Sequence, residues 1–150
     1  MTDPEAADAF SAIALEVFHL NGLLVAGGDR LTRDLGLTSA RWKVLGALAV
    51  QGQPLTVAQI ARRMGLTRQS VQRIVGDLVA SGHLRLDDNP DHQRAPLVNR
   101  TAKGEAAYAQ IMHRHAAWAD RLVAGIEPEA LRRALATLEL LAKRLETTPQ

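Results

Sequence analysis

Between Val57 and Ile74 the chain reads Val-Ala-Gln-Ile-Ala-Arg-Arg-Met-Gly-Leu-Thr-Arg-Gln-Ser-Val-Gln-Arg-Ile. Thr56 is placed to cap a short helix running to about Met64. Gly65 breaks that helix, and Thr67 caps a second one that runs to about Ser81 and stops at Gly82. Two helices crossing steeply over so short a turn need a small residue where they meet, a glycine at the turn, and branched apolar residues pinning the second helix. Ala61, Gly65, Val71 and Ile74 supply these, with Ile60, Met64 and Leu66 expected in the core beneath. The spacing is that of a helix-turn-helix. A purely structural helical hairpin would show the same Ala and Gly, so the outward face of the second helix decides. Arg68, Gln69, Ser70, Gln72 and Arg73 remain there once the buried positions are removed, with no carboxylate among them. Such side chains read base edges or bind phosphates in the major groove, and the positive end of the helix dipole points the same way. Thr67 is expected to meet a phosphate through the helix start, and Asp77 to lie beyond the groove floor.

Charge is distributed to match. No acidic residue occurs between Asp34 and Asp77, while Arg41, Lys43, Arg62, Arg63, Arg68 and Arg73 all fall there, so this stretch is +6 in a chain of net charge +2. A solvated charge face is the ordinary explanation of such a run; combined with the motif, it points to a polyanion-binding face on an otherwise acidic body. The high isoelectric point adds nothing, because few groups titrate between His and Lys. At 150 residues the chain is long enough to bury a core without staples, and its lack of cysteine excludes disulfides, thiolate zinc sites, thiol nucleophiles and cysteine redox sensing. The acidic start (Met1, Thr2, Asp3, Pro4, Glu5) is unlike a signal peptide. No apolar run is expected to approach the roughly 18 residues of a spanning helix, so the reading is cytoplasmic with no membrane partner.

The flanking sequence predicts more helix. Phe10, Ile13, Ala14, Val17, Phe18, Asn21 and Leu24 recur at steps of three and four between about Glu5 and Leu31. A second helix starts after Thr38 or Ser39 and carries Trp42, Val44, Leu45 and Leu48 to a turn at Gly52 and Pro54. After Gly82, residues 83–86 alternate like a strand, Asp87 to Arg94 form a polar loop, and Leu97 to Arg100 return as a second strand. Arg85 and Arg100 flank this wing, and Arg94 is its candidate for the minor groove or backbone, while Asp87, Asp88 and Asp91 repel phosphate. Thr101 caps a long helix whose buried face is expected to be Ala106, Tyr108, Ile111, Met112, His115, Trp118, Ala119 and Leu122. Glu127, Pro128 and Glu129 open a last helix lined by Leu131, Leu135, Leu138, Leu141 and Leu145. The expected fold is mainly α (α+β): one domain over residues 1–150, with a winged helix-turn-helix region at about 37–100 and helices at about 5–36 and 101–147. A Leu row on the last helix has little left to cover in so small a monomer, so the terminal helices are expected to form a dimerisation region.

Over nearly its whole length the chain resembles the MarR family of bacterial winged helix-turn-helix regulators. The matching residues are Leu37, Thr38, Arg41 to Leu45 and Leu48; Leu55, Thr56, Ile60 and Ala61; Leu66 to Arg68 and Val71 to Leu78; Gly82, Asn89, Pro90, Arg94 and Ala95; and Thr101 to Gly104. The resemblance implies a homodimer in which the first, fifth and last helices intertwine. It presents two winged domains to a pseudo-palindromic double-stranded site with half-sites about 10 bp apart. It also implies a repressor released by a small, often aromatic, molecule. The chain departs from the family with Gly76-Asp77-Leu78 late in the second motif helix and His92-Gln93-Arg94 at the wing tip, where the family commonly has Asp-Arg-Leu and Asp-Arg-Arg. The family's wing Asp often braces the wing Arg, so its loss bears on how the wing is held.

The resemblance places an effector between the dimerisation helices and the winged region. Candidates are Phe18, Arg41, Trp42, Met112, His115 and Trp118, where aromatic walls and a cation suit an aromatic carboxylate. The ordinary reading of each is a volume-filling core or interface residue, and ligand contact is the second reading. No metal or other cofactor is expected: His113 and His115 point to different sides of a helix, and the Asp87, Asn89, Asp91 series lacks the Gly and Glu of a calcium loop. Nor does any nucleophile, phosphate loop or zincin motif suggest an enzyme. The alternative function is a winged-helix interaction module that makes protein contacts without operator-specific regulation.

Overall fold

The computed structural model describes residues 3–148; Met1 and Thr2 of the acidic start lie outside the described residues. The helices are α1 (Pro4–Thr32), continued by a 3-10 turn at Arg33–Leu35, then α2 (Ser39–Gln51), α3 (Val57–Met64), α4 (Arg68–Ala80), α5 (Ala102–Val123) and α6 (Pro128–Thr147). Strands β1 (Leu84–Asp87) and β2 (Leu97–Arg100) lie between α4 and α5. This is the expected winged helix-turn-helix with a two-stranded wing. Backbone packing divides the chain into two units, one ending at His115 and the other beginning at Ala116.

In the first unit each helix begins at a side chain able to satisfy its orphan amides. Thr38, rather than Ser39, caps α2 by accepting from the Arg41 amide at 3.2 Å. Ser39 is buried inside α2, where its own amide donates to Asp29 Oδ1 at 2.7 Å. Thr56 and Gln59 form a reciprocal capping box at 3.2 and 2.9 Å, which makes an eight-residue α3 viable. Gly65 closes α3 with φ +63°, a conformation that would strain a side chain. Thr67 accepts from the Ser70 amide at 3.1 Å to start α4.

The core gathers one face from each of these elements: Val44, Leu45 and Leu48 from α2, Ile60 and Ala61 from α3, Val71, Val75 and Leu78 from α4, Leu84 and Val98 from the wing, and Ala107 and Ile111 from α5. Leu66 is not among them: the turn closes by its amide donating to the Ala61 carbonyl at 3.0 Å, and its side chain is left exposed. The wing pairs antiparallel, with Leu84 opposite Arg100 and Asp87 opposite Leu97, so β1 starts one residue later than expected. Leu55 joins Val98 through bonds of 3.2 and 2.7 Å, tying the segment before α3 to the root of the wing.

The buried face of α5 also differs from expectation. Gly104, Ala107 and Ile111 are buried, while Ala106, Met112 and Leu122 are exposed. Glycine explains the shift: a Cβ on Gly104 would lie 2.0 Å from the His83 carbonyl oxygen, so the helix meets the end of α4 on its 104–107–111 side. Further along α5, Arg114 binds Asp34 through both guanidinium nitrogens at 2.5 and 2.7 Å and donates to the Leu31 carbonyl at 2.9 Å. That pairing holds the Asp34 carboxyl below the usual carboxylate range.

Apart from Gly27, Gly28 and Thr32, α1 buries nothing; Phe10, Ile13, Val17, Phe18, Leu20 and Leu24 are all exposed. Only Glu16 is charged between Asp8 and Asp29. This overturns the expectation that no apolar run approaches spanning length, because Pro4–Leu35 is long and apolar enough to cross a membrane by length and composition. In the second unit no residue of α6 is fully buried, and Leu131, Leu135, Leu138, Leu140 and Leu145 are exposed, with Leu141 half-buried.

Three outcomes follow. Gly104→Ala is expected to lower stability to urea by roughly 1–3 kcal/mol, since rigid backbone opposes the new methyl. Gly76→Ala, in open space on α4, should instead raise it by up to about 1 kcal/mol. His83 is buried, and burial followed by the charges of Lys103 and Arg41 pushes its imidazole below the ordinary value of 6.5. A depressed folded pKa means this contribution to stability is complete above pH about 6.5 and is lost as pH falls toward the folded value. Urea unfolding from pH 7.5 to 5 should show that decline, and His83→Gln should flatten it.

Candidate nucleic-acid interface

α4 presents two unlike sides. Val71, Val75 and Leu78 are sealed in the core, which forces Arg68, Gln69, Gln72 and Arg73 to the exposed side. At the helix start the Thr67 hydroxyl accepts from the Ser70 amide and donates to Ser70 Oγ at 2.9 Å. Thr67 and Ser70 are therefore engaged with each other, while the amides of Arg68 and Gln69, in the first turn, keep their partial positive charge outward.

The wing folds back toward this helix. A groove of about 370 Å³ is lined by Thr56, Val57 and Ala58 at the start of α3, by Arg68, Gln69 and Gln72 of α4, and by Leu86, Arg94, Ala95 and Pro96 of the wing. Four of the seven predicted residues contribute here: Arg68, Gln69, Gln72 and Arg94. Arg73 is exposed on α4 outside the groove lining, and Thr67 and Ser70 form the cap beside it. No carboxylate lines the groove. Arg68, Gln69, Gln72, Arg73 and Arg94 enter no side-chain hydrogen bond or ion pair among the described residues, so their donors are available to a ligand.

Two carboxylates of α4 and the wing root, Asp77 and Asp87, are held by other groups. Asp77 pairs with Arg41 at 3.1 Å, and Arg41 also donates to the Gly36 carbonyl at 3.2 Å, joining α2 to α4. Asp87 accepts from Arg85 at 3.2 Å and from Asn99 at 3.1 Å, and Arg85 also donates to the Arg100 carbonyl at 3.0 Å. Arg85 is thus part of the hairpin root. Gln93 lines a separate recess with Asp88, Asn89 and Pro90, while Arg94 faces the α4 groove. Sequence reasoning missed the apolar part of the groove, Val57, Leu86 and Pro96; strand alternation puts Leu86 on the face of buried Leu84, so the pattern gave no signal that it is exposed.

Of the six effector candidates, the structure brings two together: the Trp42 and His115 rings meet edge-on with centroids 5.3 Å apart and planes at 61°. Arg41 is committed to Asp77 and Gly36, Phe18 and Met112 are exposed, and Trp118, half-buried, belongs to the second unit.

Known proteins share this architecture. A family model described as MarR family matches residues 35–95. Rv2011c of Mycobacterium tuberculosis (strain ATCC 25618 / H37Rv) is 40% identical over 124 residues, covering 83% of this chain and 85% of that protein. The transcriptional activatory protein BadR of Rhodopseudomonas palustris is 30% identical over 105 residues, covering 66% and 60%. Among solved structures, the M. tuberculosis transcriptional regulator MOSR in complex with DNA superposes with a TM-score of 0.71 at 22% identity, covering 88% of this chain and 96% of that one. CouR of Rhodococcus jostii RHA1, bound to p-coumaroyl-CoA, gives 0.77 at 21%, covering 87% and 91%. With its winged helix-turn-helix and the carboxylate-free groove beside α4, the chain belongs to the MarR family of DNA-binding transcriptional regulators.

Proposed function

We propose that this regulator is a cytoplasmic homodimer that represses transcription from a pseudo-palindromic operator and is released by a small aromatic ligand. The observation that carries the reading is the groove in which Arg68, Gln69 and Gln72 of α4 face Arg94 of the wing with no carboxylate between them. An α-helix fits the major groove of B-DNA, about 12 Å wide, and Arg and Gln are suited to guanine and adenine edges. Arg94, on the wing, reaches the minor groove or backbone. Arg73 reads a base from the exposed side of α4, and Thr67 and Ser70 hold the first-turn amides toward a phosphate.

The homodimer is supported by apolar side chains exposed in the single chain, around much of α1 and in a row on α6. Two-fold pairing removes such surface from water and explains the composition of α1 without a bilayer. For the effector, Trp42 and His115 supply an aromatic wall, and CouR, a structural neighbour, is solved with p-coumaroyl-CoA.

Selection from a random DNA pool should enrich an inverted repeat whose half-sites lie about 10 bp apart. Its affinity should fall steeply with salt through counterion release. Arg73→Ala should cost roughly 1–3 kcal/mol and relax preference at one operator position. A pool without enrichment would overturn the operator reading and favour a protein-interaction module. A promoter carrying the site should be silenced by the protein; activation would overturn the repressor assignment. For the dimer, Leu135→Glu with Leu138→Glu should shift sedimentation from dimer toward monomer, while an unchanged dimer would exclude that face.

A further inference from the structure

Residues 88–96 of the wing lie between β1 and β2 with no strand pairing to hold them, yet this segment carries Arg94 to the groove. A nine-residue loop left free would lose considerable backbone entropy on binding, and its guanidinium would sample many positions. The side-chain restraint comes from one residue. Asn89 Nδ2 donates to the Ala95 carbonyl at 2.8 Å, crossing the loop to the neighbour of Arg94. Its Oδ1 accepts from the Asp91 amide at 3.1 Å and its own carbonyl from the His92 amide at 3.2 Å, while the His92 carbonyl accepts from the Ala95 amide at 3.2 Å. No other side chain of this segment makes a hydrogen bond among the described residues: Asp88, Asp91, His92 and Gln93 all leave their polar atoms to solvent. Asp87, bound by Arg85 and Asn99, anchors only the root.

We propose that Asn89 is the positioning residue of Arg94: its carboxamide fixes the Ala95 carbonyl and thereby holds the Arg94 guanidinium over the groove, where it meets DNA. This deepens the DNA-binding reading above and rests on it. Arg94 makes the contact, and Asn89 acts only through it.

The test uses the full-length protein and its enriched operator, comparing wild type, Asn89→Ala, Asn89→Ser, Arg94→Ala and the Asn89→Ala/Arg94→Ala double variant. Ser keeps a short acceptor for the Asp91 amide but does not reach Ala95, so it separates the two side-chain bonds. Both Asn89 variants should bind roughly three- to tenfold more weakly. Arg94→Ala should reduce the salt slope by about one per subunit. The decisive result is the cycle: Asn89→Ala should add nothing once Arg94 is gone. Wild-type affinity in Asn89→Ala, or an undiminished loss in the Arg94→Ala background, overturns the proposal. Hydrogen exchange of the free protein gives a readout that needs no DNA. The Ala95 amide should exchange faster in both Asn89 variants while core amides stay protected, and unchanged exchange overturns the proposal. A wild type that enriches no operator but shows this exchange pattern would instead overturn the DNA reading and retain the loop restraint.

Discussion

The approach of α5 to the His83 carbonyl is the constraint on which the winged region turns. His83 donates its amide to Leu78 at 2.9 Å, and its carbonyl accepts from Thr101 at 3.1 Å while Gly104 packs against it without a side chain. Thr101 also donates to the Gly82 carbonyl at 2.6 Å, and Lys103 to the Ser81 carbonyl at 2.6 Å. Through seven residues, then, the end of α4, the start of β1 and the first turn of α5 are pinned to one another. The direction in which the wing leaves α4 follows from this junction, because β1 begins immediately after His83 and β2 ends immediately before Thr101. Leu55, paired with Val98, fixes the same hairpin from the α3 side. The groove between α4 and the wing is thus bounded by elements held at their roots, and only the tip needs a restraint of its own.

Electrostatics in this region is decided by pairing more than by count. The wing contains as many acidic as basic residues near its loop, and on composition alone it is a poor partner for a polyanion. Asp87 is bound by Arg85 and Asn99, and Asp77 by Arg41, so these two carboxylates have cationic neighbours, while Asp88 and Asp91 of the wing loop face solvent. These pairs are partly exposed and add little to stability. Their consequence is local: among the described residues Arg68 and Arg73 of α4 and Arg94 of the wing keep their guanidinium groups without such partners.

Much of this was legible in the sequence because short-range chemistry sets it. Thr56, Gly65, Thr67 and Gly82 each act within a few residues, and the boundaries of α3 and α4 follow from them to within a residue or so. The carboxylate-free face of α4 was readable for the same reason. What escaped depends on contacts distant in sequence. Ala106 and Ala107 are the same residue type, and only the close approach of Gly104 to His83 shows which one is buried. Leu66 looks like core until the turn geometry rotates it outward. The bracing of the wing tip by Asn89 depends on a loop closure that no periodicity encodes. Similarly, α1 was read as amphipathic when its apolar residues in fact surround much of the helix, so the sequence pattern understated how much surface it leaves exposed.

Neighbouring residues on α2 link the ring pair to α4. Arg41 bonds to Asp77 of α4, and Trp42, next in the chain, meets His115 of α5 edge-on. A rigid helix thus joins the aromatic contact to α4, and α5 carries both His115 and the Gly104 junction at the root of the wing. A molecule displacing Trp42 from His115 would press on α2 and α5 together, the two elements that hold α4 and the wing. Contact alone does not make this a switch: a ligand changes DNA affinity only by the difference between its affinities for the DNA-competent arrangement and for another one. The exposed Arg41–Asp77 pair costs little to break, so α2 can shift against α4 there more easily than through the buried Val44, Leu45 and Val75. The first unit therefore has a soft contact beside a hard one, and an effector that acts through α2 would have to work on the soft one.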